Sequence, residues 1–222
     1  MLLAFDTSSP VVTVAVADPA GDRVLAAVSL SDGLRHGELL APAIRSVLAE
    51  ARVRPSGLTT IVVGAGPGPF TGLRVGLVTA RTMADLLGIE VVGVCSLDII
   101  ARETTVPGPV AVATDARRKE IYWAVYDAPA ADGSRRRIEG PAVDKPAAVA
   151  HVFGDLPLVG HGAVLYADVL GDGFVADGAQ HPSAAVLAKG VLDGSLALIA
   201  PEPLYLRRPD VTLSAGPKSV LT

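Results

Sequence analysis

The sequence predicts an α/β protein of two lobes, each a mixed β-sheet with flanking helices, and three observations predict it. Residues 2–18 and 110–127 share one pattern: an apolar strand ending in Asp, a short polar turn, and a second strand ending in Asp. Asp6 aligns with Asp115 and Asp18 with Asp127 at one offset, which sets Val12, Val14 and Val16 opposite Ile121, Trp123 and Val125. Alternation at period two supports strands in both copies. Beyond each copy, apolar runs alternate with helical periodicity, the mark of a layered α/β fold. Half of the 222 residues are apolar and only 4% aromatic, so the core is large and aliphatic.

In the first lobe, residues 1–105, residues 23–30 read as a third strand. Residues 36–51 form a helix with Leu40, Ile44, Val47, Leu48 and Ala51 on one face. Pro42 sits within it, so the helix either starts late or kinks. Residues 60–63 are a strand, 71–87 a helix, 91–94 a strand and 97–102 a helix. Pro107-Gly-Pro109 marks the boundary. The second lobe, residues 106–206, continues with a turn at Asp132-Gly133, a short strand at 158–160, a helix at 183–192 and an extended segment at 201–206. The polar, Gly/Pro-rich tail, residues 207–222, is placed as partly disordered or returning to the first lobe.

Composition narrows the function classes. A net charge of −4 argues against a broad grip on nucleic acid, leaving room only for a local basic patch. Cys95 is the single cysteine, so neither a disulfide framework nor a cysteine zinc site is available. The N-terminus lacks a basic signal-peptide start, and no window is long and apolar enough for a membrane helix. A reduced cytoplasmic protein is expected.

The most distinctive segment is Gly64-Ala-Gly-Pro-Gly-Pro-Phe-Thr-Gly-Leu-Arg-Val-Gly76. It follows a strand and opens a helix, a junction that can cradle phosphate or simply turn the chain. It lacks the Gly-Lys-Ser/Thr end of a nucleotide loop and the dinucleotide glycine spacing, and its prolines remove donors. A structural turn is the favoured reading. Thr71 is positioned to cap the helix. On that helix Arg74, Arg81 and Asp85 share one narrow stripe, and uncharged residues cover the rest. A surface helix needs little more than 100° of apolar arc. This one is therefore covered on two sides: either it is central in its own lobe, or one face packs on its sheet and the other on another chain, with Gly76, Thr79 and Ala80 admitting a partner helix; the second is the favoured reading.

Four scattered histidines form no His-x-x-x-His pair, no Gly-x-Ser-x-Gly elbow exists, and Cys95 has no basic or acidic companion. No catalytic or metal-binding set is assigned. Asp6 and Asp115 stand at strand ends, where a carboxylate can hold magnesium or accept turn N–H bonds; both readings stand. The runs 117–119 and 135–137 are basic, with solvated turns as the favoured reading.

Several of these segments together resemble one family. Asp6-Thr-Ser, His36-Gly-Glu-Leu-Leu-Ala-Pro42, the Gly66–Gly76 element, Ser96-Leu97, Asp115-Ala-Arg-Arg-Lys-Glu-Ile-Tyr122 and Pro203-Leu-Tyr-Leu-Arg207 are similar to TsaB, also called YeaZ. The matches run in order over nearly the whole chain. Gly37 and Ala41 depart from the family's usual residues, and the tail is short. The resemblance implies a fold of the actin, Hsp70 and sugar-kinase (ASKHA) type. It implies a non-catalytic subunit of tRNA threonylcarbamoyladenosine synthesis, pairing with the catalytic paralogue TsaD, with the ATPase TsaE joining and tRNA met through the complex. Alone, such a subunit forms a homodimer. Carried onto this chain, the contact uses Glu38 and Leu39 of one helix and Leu73, Val75, Gly76, Thr79, Met83 and Leu86 of the next. Asp6, Asp115 and Arg117 match positions near the cleft or the ATPase-facing side. No tightly bound cofactor is implied, with ATP or ADP held only in the complex. The alternative is a stand-alone ATP-using enzyme of the sugar-kinase type, which rests on fold alone.

Overall fold

The computed structural model describes residues 1–31, 35–171, 173, 175 and 178–207. The tail expectation for 207–222 thus lies outside the described residues, save Arg207. The first sheet contains β1 (Leu2–Asp6), β2 (Val11–Asp18), β3 (Arg23–Ser31), β4 (Thr60–Gly64), β5 (Glu90–Val94) and β10 (Leu198–Ile199), in the order β10-β5-β4-β1-β2-β3. Its helices are α1 (His36–Glu50), α2 (Phe70–Leu87) and α3 (Ser96–Glu103). The second sheet contains β6 (Val110–Asp115), β7 (Ile121–Tyr126), β8 (Arg137–Asp144) and β9 (Leu158–Val159), in the order β8-β7-β6-β9. Around it lie α4 (Pro146–Phe153), α5 (His161–Leu165) and α6 (Ala167–Leu170); α7 (Ala184–Leu192) follows.

The two sheets repeat one topology. Two antiparallel hairpins (β1-β2-β3, β6-β7-β8) are each followed by a helix and a return strand parallel to the first, β4 on β1 and β9 on β6. The internal repeat is therefore real, with one refinement. Leu3 and Phe5 of β1 face α1 and α2, whereas in β6 it is Ala111 and Ala113 that face α4 and α5. Alternation then puts Asp6 on the opposite face of its strand, with Leu2 and Ala4, and Asp115 on the α4–α5 side. The two carboxylates are not equivalent, because the first turn is one residue longer: Asp6 pairs with Thr13, and Asp115 with Ile121.

β1 is apolar up to Asp6 and β4 after Thr60, because both faces of the sheet are covered. Leu3, Phe5, Val14, Ile61 and Val63 meet α1 and α2 on one side. Leu2, Ala4 and Val62 meet Ile99 of α3 and Leu187 and Ala188 of α7 on the other. This corrects the placement of residues 184–199 in the second lobe. Leu187, Ala188 and Leu196 fill the open face of the first sheet, and β10 extends its edge beside β5. α3 lies between the sheets, with Leu97 and Ile100 packed against Val110 and Val112.

α1 begins at His36 and runs through Pro42, whose ring points to solvent, so the helix does not start late. α2 begins at Phe70 after Pro69, one residue earlier than the spacing predicts. Thr71 makes no capping bond and lies exposed within the first turn. At its other end Gly88 takes a left-handed conformation (φ 64°) and returns its N–H to Ala84, a glycine stop.

Candidate functional site

The glycine element is a seat for the β1–β2 turn. Built onto Gly64, a Cβ would lie 1.7 Å from Oδ2 of Asp6; onto Gly68, 2.2 Å from the Ser8 carbonyl oxygen. Onto Gly72 it would lie 2.4 Å from the Thr7 carbonyl oxygen, and onto Gly76, 2.4 Å from Oγ1 of Thr7. Four glycines at a spacing of four thus lie along residues 6–8, which occupy the place a phosphate would need. Oγ1 of Thr7 donates to the Gly72 carbonyl at 2.8 Å, fixing the turn to α2.

Asp6 is fully buried and both its oxygens are used. Oδ1 accepts from the Ser8 N–H and hydroxyl, each at 2.7 Å; Oδ2 accepts from Oγ of Ser96 at 2.6 Å. Burial raises its pKa, and the Ser96 and Ser8 bonds oppose that rise. Asp6 is a strut between β1 and α3, not a residue open to a ligand. His36, also buried, donates from Nε2 to the Ser9 carbonyl oxygen at 2.7 Å and closes the same turn from α1. Asp115 is half-buried, accepts the Arg117 N–H at 2.9 Å and lies 3.9 Å from Nε of Arg117. Both carboxylates therefore accept turn N–H bonds. Among the described residues no three His, Cys, Asp or Glu side chains are grouped to hold a metal.

Between the two turns lies a cleft lined by Ser8, Ser9, Thr114, Asp115, His161 and His181. Its open space is about 10 Å³, the size of one water at most. The His161 and His181 rings are 5.2 Å apart, and Nδ1 of His161 is buried without a hydrogen-bond partner. Burial and the neighbouring His161 hold His181 down to a pKa of about 4. No local pattern announces this apposition, because the histidines lie 20 positions apart on separate segments. Cys95 is buried, which pushes its thiol up to about 12 and makes it inert.

α2 carries two apolar stripes. Leu73, Gly76, Leu77, Ala80 and Ala84 are buried on the sheet. On the opposite face Val75, Val78, Thr79, Thr82, Met83 and Leu86 follow the i, i+3, i+4, i+7 rule with no charge among them. Val78 is 58% exposed and Leu86 81%, while Val75, Thr79 and Met83 are half-buried. Of the expected contact residues, Glu38, Leu39, Val75, Thr79, Met83 and Leu86 retain exposure. Leu73 and Gly76 do not: Leu73 is core, and Gly76 admits Thr7 rather than a partner helix. Val78 and Thr82 were missed, although the same spacing rule reaches them. Glu38 lies 3.9 Å from Arg35, and Leu39 packs partly on the core.

The first basic run is an exposed turn, as expected, whereas Arg135 and Arg137 of the second are engaged by the protein itself. Arg117, Arg118 and Lys119 are exposed but held in three successive left-handed conformations (φ 63°, 55° and 61°). Such residues cost about 1–2 kcal/mol each, and turn hydrogen bonds from Ala116 to Glu120 and from Glu120 to Arg117 hold them. In the other run, Arg137 forks onto Asp98 of α3 at 2.6 and 2.7 Å, and Tyr126 donates to the same carboxylate at 2.7 Å. Arg135 donates to the carbonyl oxygens of Val106, Gly108 and Asp127. These arginines join the second sheet to α3 and to the chain leading into β6.

These features define a class: a duplicated α/β protein of two mixed sheets with flanking helices, its inner cleft narrow and one helix left apolar on its outer face. Comparison with known proteins narrows it. Residues 26–158 match the family model described as TsaD: tRNA N6-adenosine threonylcarbamoyltransferase. The uncharacterized protein Rv3421c of Mycobacterium tuberculosis is 40% identical over all of this chain and 96% of its own length. The tRNA threonylcarbamoyladenosine biosynthesis protein TsaB of Escherichia coli is 28% identical over 78% of this chain and 80% of its own. YeaZ from Pseudomonas aeruginosa superposes with a TM-score of 0.74 at 29% identity, covering 92% of this chain and 99% of that one. The chain belongs to the TsaB/YeaZ family.

Proposed function

We propose that this chain is the non-catalytic partner subunit of the cytoplasmic assembly that makes threonylcarbamoyladenosine in tRNA. It binds the catalytic paralogue, TsaD, through the outer face of α2 and the adjoining turn of α1, and the ATPase TsaE joins that pair. In the absence of the paralogue the same face closes a homodimer. ATP or ADP is held only within the assembly.

The observation that carries this reading is the second apolar stripe on α2. An uncharged stripe three turns long, with Val78 and Leu86 well exposed beside a fully formed core, presents more apolar surface than folding the chain requires. Charged residues are confined to one edge, as at the rim of an interface. The family membership supports the choice of partner. Asp115 and Arg117 stand apart from the stripe, at the mouth of the cleft, on the side where the ATPase would meet the chain. A stand-alone ATP-using enzyme would bind its nucleotide in the inner cleft between the lobes, and that cleft, at about 10 Å³, is too small for one.

Sedimentation velocity of the chain carrying Leu86→Glu with Val78→Glu, alone and mixed with the paralogue, tests the interface. Both side chains are exposed, so the fold is expected to persist. Loss of the homodimer and of the mixed complex is expected. Unchanged association in both runs would remove the α2 face from the account.

A further inference from the structure

At the mouth of the cleft, away from the α2 stripe, two aromatic rings are held in the open. Phe70 and Tyr205 stack with centroids 5.4 Å apart and an interplanar angle of 27°, and are 54% and 48% exposed. The guanidinium of Arg74 sits 5.0 Å from the Phe70 centroid. Beside the pair lies a groove of about 440 Å³, walled by Gly68 and Pro69, by Arg117 and Arg118 of the left-handed turn, and by Arg207. Tyr122 forms part of its lining, its hydroxyl donating to the Gly68 carbonyl oxygen at 3.3 Å.

The two rings support each other as a stacked pair, and exposed tyrosines of this kind are enriched at interfaces. Here their surroundings are cationic: Arg74, Arg117, Arg118 and Lys119 are all exposed around the rings or on the adjoining turn. Two carboxylates lie among them. Asp115 is 3.9 Å from Arg117, and Glu120 pairs with Arg207. The balance is still positive, on a chain whose overall charge is −4. Phe70 is covered by Tyr205 and by the Arg74 guanidinium, which leaves the outer face of the half-exposed Tyr205 for a base; such a stacked platform next to cations that follow a phosphate backbone has the elements of single-strand nucleic-acid binding. Mononucleotide sites are usually enclosed pockets; these rings stand at an open groove.

We infer that the Phe70–Tyr205 pair and the 117–119 turn form a binding site for single-stranded RNA, with an unpaired base on the rings and its flanking phosphates on the basic turn. The inference rests on the reading of the chain as part of a tRNA-modifying assembly, which selects RNA over other strands. It extends that reading by giving this subunit its own RNA contact. At 100° per residue Phe70 lies about 140° around α2 from Val75, so RNA and the protein partner occupy different faces and bind together.

Fluorescence anisotropy of the full chain with a labelled 12-nucleotide single-stranded RNA tests it. Tyr205→Ala is expected to weaken binding about 10-fold or more, the loss of one stacked base. Arg117→Asn, which keeps a residue tolerant of the left-handed turn, is expected to lower the slope of log affinity against log salt by about 0.7. Unaltered affinity in both Tyr205→Ala and Arg117→Asn, absence of RNA binding by the chain alone and with the paralogue, or equal binding of duplex RNA would overturn the site. Competition by ADP at the same affinity as the RNA strand would overturn it too, in favour of a mononucleotide. Retained pairing with the paralogue in any of these cases would leave the partner role standing, so the two failures are separable.

Discussion

Gly64→Ala tests the reading of the glycine element as a seat for the turn. A methyl group there would lie 1.7 Å from Oδ2 and 2.6 Å from Cγ of Asp6, and 2.9 Å from Oγ of Ser96. None of these atoms is the free end of a flexible chain. Asp6 is held by three hydrogen bonds in a fully buried site. Overpacking of this kind costs about 1–3 kcal/mol, and displacing the carboxylate from a serine donor forfeits a charge-assisted bond of about 1.5–3 kcal/mol. A loss of about 3–5 kcal/mol follows, against a total stability of about 5–15 kcal/mol for a domain. At about 2–4 °C per kcal/mol for a chain of this size, the melting temperature falls by at least about 6 °C. Urea unfolding followed by circular dichroism measures it. Gly37→Ala, in α1 with nothing within 4 Å of the added Cβ, is the control and is expected to be neutral or stabilising by up to about 1 kcal/mol. A loss below about 1 kcal/mol for Gly64→Ala would refute the seat.

Two further outcomes follow from buried polar groups. Asp98→Ala leaves Arg137 and Tyr126 without their shared carboxylate between the second sheet and α3. It is expected to cost about 2 kcal/mol or more in urea unfolding, since a half-buried guanidinium loses its counter-ion. His181, held neutral at a pKa of about 4, binds its proton more readily when the chain unfolds. The unfolded state therefore takes up more protons between about pH 6.5 and 4, so stability falls as pH drops through that window. His181→Asn is expected to flatten that fall in unfolding curves taken from pH 7 to 4.5; an unchanged pH profile would contradict the assignment.

Much of the first sheet was legible because its signals are local. β1 to β5 are runs of Val, Leu and Ile, and α1 and α2 carry clear 3.6-residue periods. β8 was not legible. Gly140-Pro141 in its middle reads as a turn, and the strand accommodates it through register shifts against β7. β10 has two residues and owes its existence to the edge of β5, which no local pattern announces. In the site, both stripes of α2 could be counted from sequence, but their assignment could not. Gly76 and Ala80 are small enough to meet either a partner helix or their own sheet. What decides between them is Thr7, which is distant in sequence. The bond between Ser96 and Asp6 spans 90 positions, so Asp6 in isolation reads as an available carboxylate when it is a buried strut. The basic turn shows its left-handed form only in three dimensions, since no glycine marks it.

The central claim, that the outer face of α2 recruits a catalytic partner, is tested most directly by reconstituting threonylcarbamoyladenosine formation on tRNA from purified TsaD and TsaE. This chain is omitted, supplied, or supplied with Leu86→Glu and Val78→Glu. Product is expected only with the unaltered chain, and is expected to be lost with the variant while its melting temperature stays within about 2 °C, since both positions are exposed. Full product without the chain, or with a folded variant, would contradict it.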